Sequence, residues 1–146
     1  HWVFFLVIFA TGIGLRIWQN KTPIIQVELK NQILDVMLAK TIYQQQKGLG
    51  GRESLDPYDG MVFVYSDLSR PVMVMRDMEF SIDIVWFEGG KVIDIASSLP
   101  LEPGASENEL TRYYPRKKAD LVLQLPAGWV EENILKIGDK ISLVEG

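Results

Sequence analysis

Ser81-Ile82-Asp83-Ile84-Val85-Trp86-Phe87, then Glu88-Gly89-Gly90, then Lys91-Val92-Ile93-Asp94-Ile95-Ala96-Ser97 is the run that decides the fold. Two β-rich stretches flank a Gly-Gly turn, and glycine supplies the positive φ that a tight hairpin needs. In the first stretch Ile82, Ile84 and Trp86 point one way, and Asp83, Val85 and Phe87 the other. Both sets are mostly apolar, which predicts a central strand buried on both faces.

Working outward, the same period-two pattern recurs. Downstream, Pro100 to Pro115 is long, polar and irregular, the best place for a mobile loop. Ala119 to Leu125 reads as a strand. Pro126 to Leu135 (PAGWVEENIL) reads as a short helix with proline in its first turn. Ile137 to Lys140 is a turn, and Ile141 to Val144 closes the chain as a strand. Upstream, Pro71 to Met75 and Gly60 to Tyr65 read as strands, and Asp56 to Gly60 as a turn. Ala39 to Leu49 reads as a short helix that Thr41 can cap. Ile24 to Leu29 and Ile33 to Leu38 form a hairpin around Lys30-Asn31-Gln32. The expected fold over residues 24–146 is mainly β: a compact antiparallel β-sandwich or barrel-like domain with two short helices. With no crossover helix in view, a parallel sheet is not expected.

The first 20 residues have another character. Trp2 to Leu15 carry no charge, and a spanning helix needs about 20 apolar residues, or as few as about 17. Trp2 to Trp18 reaches that minimum if Arg16 snorkels to the headgroups. Trp2, Phe4, Phe5, Leu6, Ile8, Phe9, Ile13, Leu15 and Trp18 would carry the anchor, with tryptophans at both interfaces. An N-terminal membrane helix that leaves the β domain extracytoplasmic is the expectation. The rival is a signal peptide cleaved near Ala10-Thr11-Gly12, giving a secreted protein.

Composition removes several chemistries. Hydrophobic residues make up 47% and charged residues 23%, a globular balance. The net charge is −4, which argues against a nucleic-acid partner. There is no cysteine and the one histidine is His1, so thiolate or histidine metal sites and His-dependent triads are not expected. No metal or cofactor is expected.

Four stretches, in order, resemble one family. They are Lys47-Gly48-Leu49 with Arg52 before Gly60 to Val64; Met75-Arg76-Asp77 through Ile82-Asp83-Ile84; Gly90-Lys91-Val92; and Tyr114-Pro115 with Leu123 to Val130 and Ile137-Gly138-Asp139. This pattern resembles the domain-of-unknown-function 192 family (DUF192), whose signature runs Trp-Met-Lys-Asn, four variable residues, Leu-Asp-Ile. Here Val74, Arg76, Asp77 and Ser81 replace the family's Trp, Lys, Asn and Pro. The resemblance implies a compact, mostly β fold, commonly secreted or anchored at the cell envelope. It implies no activity.

Asp83 draws the eye, because a carboxylate among Ile82, Ile84, Val85 and Trp86 is costly unless paired. Arg76 and Arg52 are the expected partners in a buried ion pair. Arg52, Arg76, Asp77, Asp83, Tyr113 and Tyr114 are the candidate ligand-binding residues. The leading expectation is a membrane-tethered binding or assembly module with a protein or glycan partner at the envelope. The alternatives are an envelope enzyme acting on glycan or peptide with Asp83 or Glu79 as acid/base, and a structural subunit of a membrane complex.

Overall fold

The computed structural model describes residues 22–145. The anchor expected over residues 1–20 lies outside them. No helix among the described residues is long and apolar enough to cross a membrane.

Strands β1 (Ile24–Leu29) and β2 (Gln32–Ala39) form the expected hairpin, with Leu29 opposite Gln32. Its turn residues Lys30 and Asn31 sit at φ 53° and 62°, left-handed geometry that suits the twist of a two-residue hairpin. Helix α1 (Ile42–Lys47) starts where Thr41 predicts. The Thr41 hydroxyl accepts from the Gln44 amide at 3.1 Å, and Gln44 Oε1 accepts from the Thr41 amide at 3.0 Å. That reciprocal pair satisfies donors the first helical turn leaves free.

Strand β3 (Gly60–Ser69) then runs parallel to β2, with Val36 opposite Gly60 and Ala39 opposite Phe63. This corrects the all-antiparallel expectation. The connection carrying α1 is itself the crossover that parallel pairing requires. Asp59 fixes the junction: its amide donates to Asp35 O and its carboxylate accepts from the Asp35 amide, both at 2.8 Å.

The expected strand over Pro71 to Met75 is not formed; only Met73 bridges, to Tyr113. Pro71 lacks an amide for a ladder. The segment instead lies across the sheet, burying Met73 and Met75 while Trp86 Nε1 donates to Pro71 O at 3.1 Å.

Strands β4 (Ile82–Glu88) and β5 (Lys91–Ala96) form the hairpin that the opening run predicts, and Ile82 to Phe87 are all buried. Strand β6 (Ala119–Pro126) inserts between β3 and β4. Pro126 ends this strand and does not open a helix. Helix α2 (Trp129–Glu132) is shorter than expected: Gly128, at φ 95°, precedes it, and Ile134 at φ 52° has already left the helical region. Strand β7 (Ile141–Leu143) pairs with β1.

The single sheet has the order β5-β4-β6-β3-β2-β1-β7 and curls into a half-barrel. Its two ends meet: the Val92 amide donates to Asp139 O at 2.9 Å and the Ile141 amide to Gly90 O at 2.8 Å. Alternation along the strands makes two cores. Leu29, Val36, Val62, Val85, Phe87, Leu123 and Leu125 fill the inner face with α2. Met61, Phe63, Ile84, Trp86 and Val122 face outward beneath the covering segments.

Candidate functional site

On the outer face a cavity of about 250 Å³ opens between α1 and the segment 72–78, floored by Phe63, Tyr65 and Gln124. A second, of about 320 Å³, lies on the other side of α1, lined by Tyr43, Lys47 and Arg52. Lys47, Gly48 and Gly50 border both, so the chain leaving α1 is the wall between two lobes. Gly50 is needed for that wall. A Cβ there would lie 3.1 Å from Arg76 O and 3.2 Å from Lys47 O, so a side chain would push the two segments apart.

Gln124 gives the floor its chemistry. It is 5% exposed; its amide donates weakly to Met73 Sδ at 3.5 Å, while its Oε1 has no partner. A buried acceptor left without a donor costs about 1–3 kcal/mol. Tyr65 lines the same cavity, and burial pushes its phenol up to about 12. It therefore stays protonated, and a donor, at neutral pH. At the mouth, the Arg76 guanidinium pairs with Glu107 and also donates to Gln46 O at 3.2 Å. The hydrogen bond to Glu107 leads in raising the Arg76 pKa, and the same bond lowers that of Glu107.

Of the six sequence candidates, three gather here. Arg76 borders one lobe and Arg52 the other, with Arg52 donating to Ser54 O and Asp56 O. Asp77 sits between them at φ 55°, its carbonyl accepting from the Gly51 amide at 2.9 Å. Tyr113 lies one layer out, exchanging two backbone bonds with Met73. Tyr114 is half-exposed under the Arg70 guanidinium, 5.7 Å from its ring centroid.

Asp83 is sealed at 0% exposure, as its neighbours predict, but no arginine meets it. Its carboxylate accepts from the Ser98 amide at 2.7 Å and from the Val130 amide at 2.9 Å. The expected ion pair is thus replaced by two main-chain donors, one of them at the start of α2, where Gly128 has no side chain to cap. The buried acid that does pair with arginine is Asp94. Arg116 reaches it through its own amide at 2.7 Å and its guanidinium at 3.0 Å. Burial pulls the Asp94 carboxyl upward, but the Arg116 and Ile95 donors outweigh it and leave the group below its usual range.

Sequence reasoning missed Gln124 and Tyr65 as site residues. The signal for Gln124 was present: in Leu121 to Leu125 it is the one polar side chain in a run otherwise apolar on both faces.

The match to the DUF192 profile ("Uncharacterized ACR") spans residues 24–143, nearly all of the described chain. The chain belongs to the DUF192 family. Two solved structures share this DUF192 fold. A candidate transcription regulator from Sinorhizobium meliloti 1021 is 22% identical with a TM-score of 0.73, over 84% of this chain and 95% of that one. A protein of unknown function from Novosphingobium aromaticivorans DSM 12444 is 24% identical with a TM-score of 0.70, over 82% and 84%. At these identities the likeness shows the fold alone. No curated protein matches the chain.

Proposed function

We propose that this DUF192 domain is a membrane-tethered, extracytoplasmic binding module whose site is the two-lobed cavity around Lys47 to Gly50. The observation that carries the reading is Gln124 on the cavity floor, whose buried Oε1 has no partner. A bound hydroxyl or N–H would satisfy it. Tyr65 adds a donor, and Lys47 adds positive charge at the wall, where Arg76 is already paired with Glu107. That set suits a hydroxylated ligand of sugar size bearing an acidic group, in keeping with a glycan partner. At about 250 Å³ the floor lobe falls below the usual range for drug-sized sites, which also favours a small ligand. The uncharged stretch from Trp2 to Leu15 supports the tether.

The acid/base alternative gains little support from Asp83, whose two oxygens are held by amides away from solvent.

The test is a thermal-shift and NMR titration of the full chain with glucose, N-acetylglucosamine and glucuronic acid. Glucuronic acid is expected to bind best, and Gln124→Leu to lose it with the fold intact. Equal binding by Gln124→Leu, or no response to any of the three, overturns the site.

A further inference from the structure

The inner face holds a third cavity, of different chemistry. It measures about 370 Å³; its lining is mainly aliphatic side chains, among them Ile25, Leu38, Val64 and Leu143, with Gly90, and Ser142 and Lys40 as the two polar side chains. The aliphatic side chains come from β1, β2, β3, β6 and β7, so the curl of the sheet itself makes the cavity. Lys40 is exposed and forms no ion pair among the described residues. Leu143 is 61% exposed at the rim, so the apolar lining continues to the surface.

We propose that this cavity binds a fatty acid, its acyl chain among the aliphatic side chains and its carboxylate on Lys40. Three observations converge on that occupant. The lining is mostly aliphatic, with Ser142 and Lys40 its polar side chains, which offers a polar ligand few hydrogen bonds and an acyl chain an apolar wall. The one charged lining residue is cationic, which fits a single anionic head. Position is the third: β1 and β2 are antiparallel, so Lys40, just past the end of β2, lies near the start of β1. The Leu38 amide donates to Pro23 O there at 2.8 Å. The cavity therefore sits at the end of the sheet where the chain arrives from its uncharged first segment. This site is separate from the Gln124 lobe and does not depend on it.

The test is photolabelling of the full chain in lipid nanodiscs with a diazirine-bearing hexadecanoic acid, with crosslinks mapped by peptide mass spectrometry. Label is expected on Leu38 to Lys40 and Ile141 to Leu143, competed by unlabelled hexadecanoic acid. Lys40→Glu, an exposed change that leaves the core intact, should cut that label about tenfold, the loss of one charge-assisted contact. Lys40→Arg should keep it. Leu38→Trp should abolish it by filling the cavity, and Val64→Phe serves the same purpose if that variant does not fold. Label confined to residues 1–20, or label unchanged in both cavity-filling variants, overturns the proposal. Label lost on filling but unchanged in Lys40→Glu overturns the assignment of an anionic head.

Discussion

The two faces of the sheet are built from the same strands and end in opposite chemistries. Strand β6 shows it most clearly. Leu121, Leu123 and Leu125 turn inward to an apolar core, while Gln124, between two of them, turns outward and leaves one oxygen unsatisfied. The inner face holds an apolar hollow with a lysine beside it; the outer face is covered by long segments that leave a polar hollow beneath. The contrast teaches that packing quality and site chemistry separate by face, one residue apart in sequence.

The sharpest way to break the contrast is at Gly60, where the two faces share backbone. A Cβ at this position would lie 2.5 Å from Gln124 O. Gly60→Ala should part β3 from β6 and cost about 3 kcal/mol or more, in the tail of single-residue effects. Urea denaturation reads it.

Asp83→Asn comes next. The amide can accept from only one of the Ser98 and Val130 donors and turns an N–H on the other, for a loss of about 2–3 kcal/mol. Amide exchange near Ser98 and in α2 should rise with it.

Gln124→Leu has the opposite sign. Removing a buried acceptor without a donor should raise stability by about 1 kcal/mol, visible as a higher Tm in the ligand-free chain. A fall as large as that of a Leu123→Ala cavity, about 2–5 kcal/mol, would make Gln124 a packing residue and dissolve the difference between the faces.

The smallest effect concerns pH. The Asp94 carboxyl is held below its usual range, so its contribution is present above the unfolded value of about 3.9 and is lost as pH falls through the lower folded value. Asp94→Asn should flatten the acid limb of the stability curve below about pH 4 and leave its alkaline limb unchanged. Arg116 is largely exposed, so the amplitude is modest.

The strands were legible wherever periodicity and turn chemistry agreed. The β4–β5 hairpin, the β1–β2 hairpin and the Thr41 cap all follow from local sequence. The parallel pairing of β2 with β3 was not legible, because register across the α1 connection is set by a non-local contact, Asp59 on Asp35. Pro71 to Met75 has the right apolar alternation but lacks a ladder partner beyond Tyr113. The site was half legible. Arg52, Arg76 and Asp77 converge because the turn after α1 folds onto residues 76 and 77. Asp83 was read correctly as buried and wrongly as paired with arginine: amide donors leave no mark in side-chain composition, and an arginine elsewhere in the sequence does.

The meeting of the sheet's ends bears on how the domain behaves in company. An open β-edge recruits strands from neighbouring molecules. Here β7 is only three residues long, the β4–β5 turn is tied to the chain leading into β7, and Arg116 lies against β5 through Asp94. Little ladder is left on offer at either margin. Many copies at high local concentration can therefore crowd without zipping together edge to edge.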